Sequence, residues 1–324
     1  MPRRHLHLQL RQLQVQVKKP GLQGLQPESI SSLIGRLLRK RRSRRPVKMN
    51  PNLADLLNQT DRVMSGDSPW RAEPGLYPPP KFHVGVDLGT AYTVLVVLDE
   101  QYQPVAGEYR FAQVTRDGLV VDFIGAVDLL RSMKSRVEKK LGFELTSAAT
   151  GYPPGVPQAE VRATANVLYG AGLDCTGLID EPTAANNVLQ IRDGAIVDVG
   201  GGTTGIAIFK DGQVIYTADE PTGGTHFSLV IAGSTGSSFE VAEDMKKDPK
   251  EQTRLFPIIR PVMEKVGSII NRHIAGHRVD RLYLVGGTCA YPGMDKVIEE
   301  VTGIETILPG NPLFVTPLGI AMTN

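Results

Sequence analysis

Four short stretches hold residue types that can manage phosphate chemistry. Asp87-Leu88-Gly89-Thr90 and Asp198-Val199-Gly200-Gly201-Gly202-Thr203 each join a carboxylate to a glycine turn with a threonine. Glu181-Pro182-Thr183-Ala184-Ala185 lies between them, and Val285-Gly286-Gly287-Thr288 follows. Glycine lets the backbone come close to an anion, so that successive N–H groups point at it, and threonine adds a hydroxyl donor. Asp87 and Asp198, at strand ends, can hold Mg²⁺ directly or through its water shell, because magnesium prefers oxygen ligands and keeps several waters. Glu181 can orient an attacking water or complete the metal shell. Phosphoryl transfer requires mainly positioning and charge neutralisation, and this set supplies both. Either turn alone occurs in ordinary hairpins; the ordered combination of all four carries the argument.

The surrounding periodicity predicts the elements that position these residues. Val84–Leu88 and Thr93–Leu98 read as two strands about a glycine turn, with a third strand over 103–112. Over 122–141, Ile124, Val127, Leu130, Met133 and Val137 recur at spacings of three and four, which predicts an amphipathic helix facing the core. A strand at 148–152, a helix over 156–172 and a short strand at 177–180 lead to a helix opened by Glu181-Pro182, where proline suits the first turn. The pattern then restarts. Strand 195–199, the triple-glycine turn and strand 206–209 lead to a hairpin at Lys210-Asp211-Gly212. A buried-face helix over 258–276, a strand at 282–285 and a closing helix at 316–321 complete the chain. Asp87 and Asp198 stand 111 residues apart, too long for a solenoid repeat and suited to a duplicated lobe.

Length and composition agree with this. A chain of 324 residues, 41% hydrophobic and 22% charged, suits one large two-lobed domain. No apolar run reaches the ~18–20 residues of a membrane helix, so no membrane span is expected. The two cysteines, Cys175 and Cys289, form no CxxC pair and point to a reducing cytoplasm. The net charge of +2 divides unevenly. Residues 1–48 hold thirteen Lys or Arg and one acid, leaving 23 basic and 33 acidic residues in 49–324, a net of −10. An acidic body gives a nucleic-acid role no support. The basic stretch 1–48 is expected to be disordered, with Met49 reading as a more ordinary start. Residues 49–81 read as a short helix over 53–63 and a proline-rich linker, so the folded part is expected to begin near Phe82.

The ordered motifs over 82–324 resemble the actin, sugar kinase and DnaK superfamily. The resemblance implies an α/β fold, an actin-like ATPase fold of two duplicated lobes with ATP between them. The lobes would be 82–186 with 312–324, and 187–311. By position, Asp87, Gly89 and Thr90 match the first phosphate motif, Asp198 with Gly200, Gly201, Gly202 and Thr203 the second, and Glu181 the acidic residue of the connecting motif. Gly286, Gly287 and Thr288 match the adenosine motif, and 316–322 the second connecting helix. The Glu-Pro-Thr-Ala-Ala and triple-glycine forms resemble the DnaK side. Asp122–Val127, Gly202–Ile208 and Ala218–His226 resemble the ethanolamine-utilisation EutJ family. That resemblance implies ATP and Mg²⁺ as cofactors, and a chaperone-like role in microcompartment assembly or in protecting ethanolamine ammonia-lyase. A cytoplasmic, microcompartment-associated location goes with it.

The sequence also departs from DnaK. The sequence closes on the last motif, so a peptide-binding sandwich is not expected. The 94 positions from Asp87 to Glu181 and the 83 from Thr203 to Gly286 are too few for full outer subdomains, so these are expected to be reduced. The phosphate-contacting lysine has no clear match; Arg131 and Lys134 are candidates. Ala290 and His226 stand where DnaK chaperones carry Arg and Asp. These departures imply slow hydrolysis or binding without turnover. A nucleotide-dependent scaffold like the pilus-assembly or cell-division members is the alternative, and a small-molecule kinase a third reading that lacks a sugar-binding motif. His273 and His277 read as a solvent-facing pair rather than metal ligands, Cys289 as a buried filler rather than a reactive thiol. Trp70 reads either as a docking anchor or as a side chain lying on the domain's own surface.

Overall fold

The computed structural model describes residues 51–71, 80–116 and 118–323. The expectations for 1–48 and for residues 72–79 of the proline-rich stretch lie outside them. Two five-stranded mixed sheets organise the rest. In the first, β1 (His83–Leu88), β2 (Tyr92–Leu98) and β3 (Pro104–Phe111) form an antiparallel meander. β6 (Ser147–Tyr152) and β7 (Asp174–Asp180) continue it in parallel, giving the order β3-β2-β1-β6-β7. A hairpin of β4 (Thr115–Arg116) and β5 (Leu119–Val120) stands apart. In the second sheet, β8 (Gly194–Val199), β9 (Thr204–Lys210) and β10 (Gln213–Glu220) form the meander, and β11 (Arg281–Val285) and β12 (Glu305–Ile307) the parallel pair, in the order β10-β9-β8-β11-β12. The two orders coincide strand for strand, as a duplicated lobe requires. All six residues of β8 are buried, Asp198 among them, so it shows no alternation of inward and outward faces.

Each sheet has its own core. Helices α2 (Phe123–Leu141) and α3 (Gln158–Gly170) cover the first, through Leu130, Met133, Val137 and Leu168. Helices α5 (Gly224–Thr235), α6 (Phe239–Lys247), α7 (Gln252–Ile274) and α8 (Met294–Thr302) cover the second, with the buried stripe of α7 at its centre. A third cluster joins the sheets. Val94, Val96 and Leu98 of the first meet Ile196, Ala207 and Phe209 of the second, together with Val315 and Leu318. Those two belong to α9 (Val315–Ala321), which crosses α4 (Glu181–Leu189) at backbone contact. A Cβ on Gly319 would lie 1.8 Å from the Ala184 carbonyl oxygen. Gly85 gives α9 similar room, since a Cβ there would lie 2.6 Å from the Pro317 carbonyl oxygen.

Several expectations are corrected. The folded part begins before Phe82: α1 (Pro51–Met64) buries Leu53 and Leu57 in the cluster between the sheets. Of the two readings of Trp70, the structure shows the side chain lying on the domain's own surface: its indole N–H donates to the Leu141 carbonyl at 3.0 Å and its ring meets Phe82 edge-on at 5.4 Å. Ile124 is 74% exposed. The Asp122 carboxylate caps α2 by accepting the Gly125 N–H at 2.8 Å, which leaves Ile124 in a first turn beyond the sheet, so the buried stripe starts at Ala126 and Val127. Helix α7 begins at Gln252, ahead of 258, and contains Pro257 and Pro261. Its apolar face already starts at Leu255, and that burial outweighs the lost N–H donors, which cost roughly 3 kcal/mol apiece in a helix interior. His273 is not solvent-facing. Its ring bridges the Tyr216 hydroxyl at 2.7 Å and Glu220 at 2.8 Å, clasping α7 to β10.

Candidate functional site

The two glycine turns meet. At the end of β1, the Gly89 N–H donates to the Tyr92 carbonyl at 3.0 Å, and a Cβ on Gly89 would lie 2.7 Å from that oxygen. At the end of β8, the Gly200 N–H donates to the Thr203 carbonyl at 3.0 Å. A Cβ on Gly201 would lie 2.8 Å from the Ala91 methyl, so the turns face each other at van der Waals contact. A third loop braces the second turn: the N–H groups of Gly224 and Thr225 donate to the carbonyls of Gly200 and Gly201 at 3.0 and 2.8 Å. Thr288 donates its hydroxyl to the Gly200 carbonyl at 2.7 Å. Gly286, at φ +89°, lies against Asp198, where a Cβ would come within 2.3 Å of the carboxylate.

One cleft of about 400 Å³ takes in every residue singled out from the motifs: Asp87, Gly89, Thr90, Glu181, Asp198, Gly200 to Thr203 and Gly286 to Thr288. Its size is that of a small-molecule site. Its floor is strongly acidic. Burial, and then the charge of Asp198, push Asp87 from an ordinary 3.8 up to about 7. Burial likewise pushes Asp198 up to about 6, opposed by the Thr316 hydroxyl, which donates to Asp198 at 2.6 Å. Glu181 is held well above the usual carboxylate range, first by burial and then by the charges of Asp87, Asp198, Asp219 and Asp180. Crowded acids of this kind are poised to take up a cation or to remain partly protonated. Among the described residues no three His, Cys, Asp or Glu side chains converge as a complete metal-ligand set.

The cations of the cleft are not those the sequence suggested. Arg131 pairs with Asp128 and the Gly170 carbonyl, Lys134 with Glu138, and neither lines the cleft. Lys246 and Lys247, at the end of α6, do. Lys246 donates to Glu243 at 2.5 Å, Ser228 at 3.0 Å and the Gly224 carbonyl at 3.2 Å. Lys247 pairs with Glu243 at 3.2 Å and lies 4.2 Å from the centre of the Phe111 ring and 5.5 Å from that of Tyr92, both on the opposite lobe. The spacing of Glu243, Lys246 and Lys247 allows an ion-pair cluster on one helix face; only the fold brings that face into the cleft. Ala290 lines the cleft, while His226 sits in the first turn of α5 and accepts the Gly223 N–H at 3.3 Å. Cys289 is fully buried, and burial and Asp198 hold its thiol well above the ordinary range, as suits a filler rather than a nucleophile.

The duplicated sheet order, closed behind the cleft by the α4–α9 crossing, is that of the actin-like ATPases. The profile of the type IV pilus assembly protein PilM matches residues 185–314, and that of the MreB/Mbl protein residues 106–247. Two solved structures share the fold at low identity. The PilM–PilN type IV pilus biogenesis complex aligns with a TM-score of 0.62 at 15% identity over 76% of this chain and 99% of that one. MreB5 of Spiroplasma citri bound to AMPPNP aligns with a TM-score of 0.63 at 17% identity over 76% and 97%. Nearer relatives narrow the class. The ethanolamine utilization protein EutJ of Escherichia coli K12 is 42% identical over 264 residues, 81% of this chain and 91% of its own. The crystal structure of EutJ from Carboxydothermus hydrogenoformans aligns with a TM-score of 0.78 at 44% identity, over 84% of this chain and 98% of that one. The chain belongs to the EutJ family of ethanolamine utilization proteins.

Proposed function

We propose that the cleft binds ATP with Mg²⁺ and that the bound nucleotide switches a chaperone-like or assembly function in ethanolamine utilisation. The observation that carries this reading is the meeting of two glycine turns above three crowded carboxylates. Gly89, Thr90 and Gly200 to Thr203 would cradle the phosphates through backbone N–H groups and hydroxyls. Asp87 and Asp198 would hold the ion, whose positive charge would neutralise both the phosphates and the acidic floor. The upward shifts of these acids, which come from burial and, for Asp87, from the charge of Asp198, fit that demand. Glu181 would accept a hydrogen bond from the attacking water and orient it. Gly286, Gly287 and Thr288 would face the adenosine. The lobes would be 82–186 with 312–324, and 187–311, closing on the nucleotide. The AMPPNP-bound relative lends fold-level support to a triphosphate.

The client is proposed from the family resemblance: ethanolamine ammonia-lyase or microcompartment proteins, in the cytoplasm at or near the microcompartment. No described helix is long and apolar enough to cross a membrane. A second reading, a nucleotide-dependent scaffold, is favoured by one surface feature. Leu119, Val121, Phe123 and Ile124 are all exposed within six residues, and neighbouring exposed apolar side chains mark interaction sites. Phosphate release by wild type and Glu181→Gln separates the two. Slow release that Glu181→Gln abolishes supports a hydrolytic cycle. Tight binding with no release from either, together with ATP-dependent sedimentation, supports the scaffold and contradicts the cycle.

A further inference from the structure

The rim of the cleft is completed by a helix that precedes both lobes. Asn311 lines the cleft in a left-handed backbone conformation, at φ 35°, which a non-glycine residue keeps only when its surroundings fix it. The next residues are bound into the site. The Pro312 carbonyl accepts the Gly286 N–H at 3.0 Å, Leu313 would meet a Cβ on Gly287 at 3.0 Å, and Thr316 holds Asp198. What fixes Asn311 lies 250 residues earlier: its side-chain amide donates to the carboxylate of Asp61, on α1.

Helix α1 is firmly seated. Met64 fills the space that Gly107 leaves in the middle of β3, where a Cβ would lie 2.6 Å from the Met64 methyl. The Gln59 amide donates to the Pro104 carbonyl at 3.2 Å, and the Ser68 hydroxyl to the Val105 carbonyl. The same strand reaches the rim on its own account, where Tyr109 meets Phe314 edge-on at 5.6 Å. Asp61 is thus carried on a helix anchored to β3, the edge strand of the first sheet, and bonds to the loop that leads from β12 into α9.

We propose that Asp61 is a positioning residue for the nucleotide site, holding Asn311 and through it the 311–316 segment, so that nucleotide affinity depends on α1. The inference rests on the nucleotide reading of the cleft and adds a determinant outside the four motifs. A hydrogen bond to a charged partner contributes enough that its loss should weaken binding by roughly tenfold.

The test is calorimetric titration of the full chain with ATP and Mg²⁺, with melting curves taken without nucleotide. Asp61→Ala and Asn311→Ala should each weaken binding by roughly tenfold, and the double variant no further, because both remove one interaction. The exchanged pair, Asp61→Asn with Asn311→Asp, keeps size and can remake the bond, so it should recover most of the affinity. Asp55→Asn, at an exposed position of the same helix, should match wild type. Unchanged affinity in Asp61→Ala overturns the inference, even if the melting temperature falls, since the bond would then be structural only. Losses that simply add, or no recovery by the exchanged pair, overturn it too. If wild type binds no ATP, the nucleotide reading itself fails, and this inference with it.

Discussion

At the scale of single residues, the site is defined by acids that crowd one another. Asp87 and Asp198 keep protons in the folded, cation-free chain up to about pH 7 and about pH 6, whereas in the unfolded chain they release them near 3.8. The folded state therefore binds more protons across that window, and stability falls as pH rises from about 4 towards about 7. A bound cation needs the ionised forms, so Mg²⁺ should raise the melting temperature more at pH 8 than at pH 6. Equal shifts at the two values would show that these carboxylates do not hold the ion. Lys247 poses a separate question. Removing its contacts with Phe111 and Tyr92 across the cleft should quicken release of a fluorescent nucleotide in Lys247→Ala by a few fold, because such a contact contributes about 0.5–2 kcal/mol. An unchanged release rate would rule that out. The acids and glycines were legible because each sits in a local turn whose chemistry is written in consecutive residues. Lys246, Lys247 and Asn311 were not, since nothing near them in the chain says that they reach the cleft, and the hydroxyl bond of Thr316 to Asp198 shows only in the folded chain.

At the scale of elements, the chain reads well where burial is one-sided and local. The meander strands and α2 were predicted close to their observed ends because their periodicity is clear. Elsewhere it reads less well: α5, α6, α8 and β12 carried no expectation, and three further elements differ from theirs. β7 begins at Asp174 rather than 177, because its pairing with β6 already starts at Ser147 opposite Asp174. α7 carries two prolines that argue against a helix, overruled by its buried face. α1 read as a prelude to the folded part because its partner, β3, is far along the chain. The α4–α9 crossing gives the sharpest element-level prediction. With the Ala184 oxygen 1.8 Å from any Cβ at 319, Gly319→Val should destabilise the chain by roughly 3 kcal/mol or more in chemical denaturation, the cost of forcing volume into a packed contact. A change below about 1 kcal/mol would show that the helices separate easily. Gly172→Ala is a useful contrast. No atom lies within 4 Å of a Cβ there, and only its positive φ opposes a side chain, so the loss should stay near 1 kcal/mol.

At the scale of the whole molecule, duplication explains why one cleft holds residues from so many places. Each sheet ends a central strand in an acid and a glycine turn, and the pseudo-symmetric pairing sets the turns face to face. α4 and α9 link the lobes behind the cleft, while α1 and the Lys247 contact bridge them at its edge. Two lobes joined in this way can change their relative angle when a charged ligand fills the space between them. The central claim is that this space takes ATP with Mg²⁺, and the most direct measurement is a calorimetric titration of the full chain with ATP, with and without Mg²⁺, beside Asp198→Asn. The account predicts saturable, Mg²⁺-dependent binding by wild type, weakened at least about tenfold in Asp198→Asn. Binding that ignores both Mg²⁺ and Asp198, or no binding by the folded wild type, would contradict it.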